Sequence, residues 1–243
     1  MLAIILNGII MLAEIAAVVA AAAFGYLYPA AFAGATAMLA LLLGLWLEHA
    51  RLAHELPFYF DTEGRGRAAL LWLVSTSEAA IKALLAGVCA LMTFSGTDQN
   101  RLFWVAGIFA ATIYAGASIS RRLSVSLKAR PLRWGFFRLA VPLGMLFSLA
   151  LSILPAPSFT DLGRQLIFDL PAKPSLGQAS ELLFVLKQKF DDMVAALLGW
   201  IVPAEAARLL GALVSVNVLT GFVASIYAVL IADVVRRAED RLP

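Results

Sequence analysis

Long apolar runs alternate with short polar breaks along this chain, and the runs have the length that a bilayer sets. A hydrocarbon core about 30 Å thick needs about twenty residues of α-helix to cross it. Runs of that order occupy residues 2–24, 30–47, 68–93, 102–120, 139–154 and 206–235, and they predict six transmembrane helices. The breaks carry matching punctuation. Tyr26 and Tyr28 suit a headgroup layer, Pro29 suits the first turn of a new helix, and Pro155 and Pro157 close the fifth run. The runs are too long and too uniformly apolar for barrel strands. The expected fold is therefore all-α: a polytopic helical membrane protein, with residues 1–243 forming one transmembrane domain.

Two stretches break the pattern. Residues 48–67 hold Glu48, His49, Arg51, His54, Glu55, Asp61, Glu63, Arg65 and Arg67. They predict a solvated connector, with a short interfacial helix up to Leu56 and an aromatic anchor at Phe58-Tyr59-Phe60. Residues 155–204 separate the fifth and sixth spans. Their proline-rich first half admits a short helix over 160–168. In the second half Leu182, Leu186, Phe190, Met193 and Leu197 recur at helical spacing, and Glu181, Gln188, Asp191 and Asp192 fall largely on other faces. Lys187 precedes Asp191 by four residues, the spacing of a helical ion pair. This is an amphipathic helix too polar to span, with Trp200 suited to the headgroup level and Pro203 ending it before the last span.

Composition agrees with a membrane protein. Apolar residues make up 62% and charged residues 14% of the 243 positions, and mean hydropathy is +0.88, far from the balance of soluble domains. The net charge of +3 does not imply nucleic acid, because the basic residues cluster in short breaks beside apolar runs. Arg121, Arg122, Lys128, Arg130, Arg133 and Arg138 share one break with no acidic residue. By the positive-inside rule that break is cytoplasmic, suited to anionic lipid headgroups or to a cytoplasmic partner. Six spans with both termini inside place twelve Lys and Arg on that side and five on the other. The amphipathic helix is then extracytoplasmic. Residues 1–24 lack a basic leader and a cleavage site, so they read as a span and not as a removable signal. Short loops and alanine-rich spans suit a bacterial inner membrane. The single Cys89 excludes an intrachain disulfide.

Polar residues inside the runs are the candidate chemistry. Glu78 and Lys82 stand four apart in the third run, with Ser75 on nearly the same face. Charges in hydrocarbon cost several kcal/mol unless paired or wetted, so neighbouring helices must close around them. Glu14 in the first run matches Lys82 in depth, and Asn217 leads a polar stripe in the last. Glu14, Ser75, Glu78, Lys82 and Asn217 therefore form the expected intramembrane polar cluster, either a relay for an ion or substrate or a lock between helices. Gly107, Ala111 and Ala115, four apart, predict a face for close helix approach. His49 and His54 are five apart, which does not align two metal ligands on a helix. Neither histidine lies in a span to serve a serine nucleophile, and no span centres an aspartate, so an enzyme is not expected. No cofactor is implied.

The order of elements resembles the six-span permease half of some ATP-driven exporters, whose last outer segment dips back into the bilayer. The similarity is one of topology and involves no motif residue. Two functions follow as expectations: a component of a transport system with the polar cluster on its path, or a non-catalytic structural subunit of a larger membrane complex. Either is expected to meet other membrane subunits or further copies of itself.

Overall fold

The computed structural model describes residues 2–59, 65–94, 99–154 and 176–240. Among these it is built from helices alone: α1 (Leu2–Leu27), α2 (Pro29–Tyr59), α3 (Arg65–Thr93), α4 (Gln99–Leu127), α5 (Pro131–Arg138), α6 (Ala140–Ser152), α7 (Leu176–Gly199), α8 (Ala204–Val214) and α9 (Thr220–Glu239), with a 3-10 turn at Val216–Leu219 before α9. Among the described residues five stretches are long and apolar enough to cross a bilayer: Ile5–Leu27, Pro29–Glu55, Ala68–Thr93, Gln99–Leu127 and Glu205–Glu239. The chain is a membrane protein. The short helix expected over 160–168 lies outside the described residues.

The fifth expected span is shorter than its run of apolar residues. The helix α6 has 13 residues, about 20 Å at 1.5 Å per residue, and does not bridge a hydrocarbon core alone. It continues α5 through one irregular residue: Leu139 N–H donates to Gly135 O at 3.2 Å and Leu143 N–H donates to Leu139 O at 3.0 Å. Pro142 explains the interruption, since it has no N–H for the Arg138 carbonyl and its ring crowds that oxygen.

The last run is also broken. Ser215 adopts an extended backbone, ψ 147°, and its hydroxyl accepts from Asn217 N–H at 3.0 Å. A serine offering its side chain to the next backbone N–H groups competes with helix continuation. The run of 206–235 therefore divides into α8, the 3-10 turn and α9.

The helix α9 is the centre of the bundle, with Val223, Ala224, Ile226, Ala228 and Val229 fully buried. It crosses α6 where two glycines meet. A Cβ added to Gly221 falls 2.0 Å from the Ala140 carbonyl oxygen, and one added to Gly144 falls 1.9 Å from the Val218 oxygen. The α4 helix approaches through Gly116, against Leu143 and Ala228. Gly107 has nothing within 4 Å of its added Cβ among the described residues, and Ala111 is exposed. The expected Gly107/Ala111/Ala115 face is thus not where the helices close. Small residues permit close approach on whichever side the larger neighbours leave open, and here that side follows Val105, Phe109, Thr112, Gly116 and Ser120.

The helices α2 and α3 form an antiparallel pair closed by Gly44 against Ala79 and by Gly87 against Ala37. The core next to one end of the bundle, the hairpin end at which α1 turns into α2, is aromatic. Phe32, Phe94 and Phe109 meet edge to face at centroid distances of 5.3–6.0 Å. Tyr227 stacks on Phe32 at 5.3 Å, and its hydroxyl lies 2.9 Å from Thr36 Oγ1. The opposite end, carrying the 121–138 segment and the C-terminus of α9, is ionic and is called the basic end below.

Candidate functional site

Residues 48–55 were expected in a solvated connector. Instead α2 runs unbroken through them, and Glu48 is 5% exposed and Leu52 9%. Glu48, Arg51, Leu52 and Glu55 recur every three or four residues, continuing the face that Gly44 presents to α3. Glu48 lies about 28 Å along α2 from Pro29, and Lys82 only about 17 Å along α3 from Thr93. A lysine side chain on α3 leans toward the helix N-terminus, so the ammonium extends toward the basic end and binds Glu48. It also lies 3.6 Å from Glu78. Arg51 closes the network, 3.0 Å from Glu78 and 3.3 Å from Glu55. Its Nη1 is 3.1 Å from Glu48 Oε2, an electrostatic contact outside hydrogen-bonding alignment. Ser75, 2% exposed, donates to the Trp72 carbonyl of its own helix at 3.1 Å.

Glu14 belongs to a second network. Its carboxylate, on a residue 3% exposed, is 3.4 Å from Arg121 Nη1, and Arg121 also binds Glu239. The expected pairing of Glu14 with Lys82 is therefore replaced by a clamp joining α1, α4 and α9. Arg121 was expected in a lipid- or partner-facing loop, yet it sits inside α4, a turn and a half before the helix ends. A carboxylate near the middle of an apolar helix needs a cation of matching depth, and the side chain of Arg121, leaning toward the start of α4, supplies one. At the foot of α9, Arg237 and Asp233 pair at 2.7 Å and Arg236 and Asp240 at 3.5 Å. Of the other basic-segment residues, Arg122, Lys128, Arg130, Arg133 and Arg138 are exposed.

Asn217, the fifth member of the expected cluster, sits at the hairpin end. There Asp191 of α7 accepts from Ser215 Oγ at 2.8 Å, from Val216 N–H at 3.2 Å and from Asn217 Nδ2 at 3.4 Å. The carboxylate thus caps the positive N-terminal end of the segment leading into α9 and pins the α7–α8 hairpin. Nearby, burial pushes the Lys187 ammonium down to about 8, opposed by the Asp191 carboxylate and reinforced by Arg101. Lys187, Gln188 and Asp191 of α7 are half-buried and Lys189 and Asp192 exposed, while the apolar Leu186, Met193 and Leu197 of the helix, and Trp200 and Ile201 after it, are exposed as well. The expected cluster therefore divides among three places. Glu48, Arg51, Arg121 and Asp191 were missed as its partners. Their signal was spacing: Glu48 and Asp191 each lie on the helical repeat of a face that packs.

No family model, curated protein or solved structure matches the chain.

Proposed function

We propose that the protein is a structural subunit of a larger membrane assembly, its intramembrane charges fastening helices and its apolar faces meeting neighbours. One observation carries this reading: among the described residues each carboxylate of α1, α2, α3 and α9 lies within ion-pair distance of a cation of the same chain. Glu48 and Glu78 are held by Lys82 and Arg51, Glu14 and Glu239 by Arg121, and Asp233 by Arg237. A carboxylate already engaged by a cation is a poorer site for a passing ion than a lone one and a good lock, because removing the cation strands a charge. The test is purification from the native membrane in a mild detergent. A particle well above the 26.0 kDa of the chain, with a second protein in fixed ratio, supports the reading. A lone chain that dissipates a proton gradient in proteoliposomes, and ceases to do so as Glu14→Gln, refutes it.

The interruption at Ser215 favours a second reading, a transport component. Broken membrane helices present backbone groups and half-helix termini to substrates, and the break here faces a carboxylate. Sodium raising the melting temperature of the wild type and not of Asp191→Asn supports this reading; no sodium response refutes it.

A further inference from the structure

A cleft of ≈ 320 Å³ opens at the basic end between α2, the α4–α5 turn and the foot of α9. Four arginines line it, Arg130, Arg133, Arg236 and Arg237, together with the indole of Trp46. Asp233 and Asp240 also line it, but they are engaged by Arg237 and Arg236. Among the described residues no carboxylate lies within ion-pair distance of Arg130 or Arg133, so the cleft carries a surplus of two positive charges. Its geometry is fixed from both sides. Arg236 Nη1 donates to the Ala129 carbonyl at 3.4 Å, and Lys128 holds the turn in a left-handed conformation, φ 52°, which costs a non-glycine residue and persists only where its surroundings impose it. The Arg133 guanidinium sits 5.7 Å from the centroid of the Trp46 ring, close enough for a cation–π contact that orients the planar fork.

We propose that this cleft binds a phosphate ester, held by Arg130 and Arg133. Two uncompensated guanidiniums match the charge and the paired oxygens of a phosphate, which arginine engages bidentately. Trp46 is half exposed and lies about 26 Å along α2 from Pro29, the depth at which tryptophan marks a headgroup layer. The ligand is either the headgroup of an anionic phospholipid reaching in beside Trp46 or a soluble phosphate compound entering from the aqueous side.

The experiment uses the full chain in detergent and native mass spectrometry, titrating dioleoylphosphatidic acid against phosphatidylcholine, with inorganic phosphate as a separate arm. The variants are Arg130→Gln/Arg133→Gln and, as a charge-matched control in the same segment outside the cleft, Arg122→Gln/Arg138→Gln. Saturable binding of one phosphatidic acid, weakened about tenfold or more in the first variant and within about twofold in the control, supports the site with a lipid ligand. Saturable inorganic phosphate with the same arginine dependence, and no preference for the lipid, supports it with a soluble ligand. Equal loss in both variants overturns the proposal, because a diffuse basic surface then accounts for the binding. Saturation in neither arm overturns it too, and leaves the arginines to an acidic partner protein. Both variants are expected to melt with the wild type. If the first does not, Arg130→Lys/Arg133→Lys takes its place, keeping the charge without the planar fork. Binding weakened by about threefold or more in the lysine variant then supports the site, and unchanged binding overturns it.

Discussion

The crossing of α6 and α9 makes a strong demand on Gly221. An alanine there would place its Cβ 2.0 Å from the Ala140 oxygen, 2.1 Å from the Gly144 nitrogen and 2.4 Å from the Gly144 Cα. All three are backbone atoms, so no side chain can rotate away. Relief to an ordinary C···O contact of about 3.3 Å requires the two helices to part by more than about 1 Å. A gap of that size forfeits a quarter to a half of the dispersion well for each atom pair across it. Leu143 and Phe147 on α6 and Phe222 on α9 are among the buried residues at this interface. Overpacking of this kind costs about 1–3 kcal/mol where neighbours adjust, and with backbone on both sides the upper end applies. The helix-propensity gain of up to about 1 kcal/mol for replacing glycine offsets part of it. The net expectation for Gly221→Ala is a loss of about 2 kcal/mol, and a melting temperature lower by about 4–8 °C. Gly107→Ala, with open space around its Cβ, keeps only the propensity gain and melts at or slightly above the wild type. Cys89, 2% exposed and the chain's single cysteine, reports the melt through a thiol-reactive dye that labels only the opened bundle. If Gly221→Ala melts within about 1 °C of Gly107→Ala, the backbone contact between α6 and α9 is wrong.

The α2–α3 network gives a second test. Lys82→Met strands Glu48, 7% exposed at its side chain, and is expected to cost about 2–3 kcal/mol, less than a wholly buried pair because Arg51 remains. Glu48→Gln/Lys82→Met recovers at least half of that loss by dye melting, and additive losses would count against a direct pair. Asp191→Ala removes the acceptor that pins the hairpin, so tryptic cleavage after Lys187 and Lys189 is expected to rise about tenfold with the dye melt of the bundle little changed; unaltered cleavage would contradict the pin. Lys187 also sets a pH dependence. Its folded-state pKa of about 8 lies below the ordinary lysine value of 10.5, so between those values the unfolded chain binds the extra proton and stability rises with pH. Below pH 8 both states are protonated and the slope vanishes. The wild-type melting temperature, followed by intrinsic fluorescence and compared with Lys187→Met, should climb from pH 8 to pH 10 only in the wild type.

What the sequence made legible followed from length and periodicity. The apolar runs correctly announced helices, because a bilayer leaves few alternatives, and the amphipathic pattern of Leu182 to Leu197 announced α7. Partner choice was not legible. Glu48 and Arg51 stand among nine charged or histidine residues and read as solvated, but on an unbroken helix they lie on the face that meets α3. Glu14 offered no signal for Arg121, since the two stand 107 residues apart and only the packing of α1 on α4 brings them level. The Gly107, Ala111 and Ala115 spacing was real, but spacing defines a face without saying what faces it. Pro142 and Ser215 carried readable warnings. A proline without its N–H and a serine able to bond the next backbone amides both argue against an uninterrupted helix.

The distribution of charge along the bundle axis bears on the choice between a lock and a path. Glu48 and Glu239 each lie about 28 Å from the start of their helices at the hairpin end, level with the arginine-rich segment. At the other end Asp191, Ser215 and Asn217 gather around the break before α9. Between these polar ends stand Phe32, Phe94, Phe109 and Phe147, each at most 2% exposed and packed edge to face. The buried hydroxyls of that stretch are already engaged: Thr36 with Tyr227 and Thr93 with Thr220, each pair 2.9 Å apart, and Thr112, Ser148 and Ser225 with backbone carbonyls. A charged solute travelling from Lys82 to Asp191 would cross this aromatic layer with only already bonded hydroxyls for company, and dehydration there costs far more than such groups return. Conduction therefore requires the helices that carry these rings to part, breaking the edge-to-face contacts that close the layer. A lock requires no motion at all, and that difference favours the structural subunit.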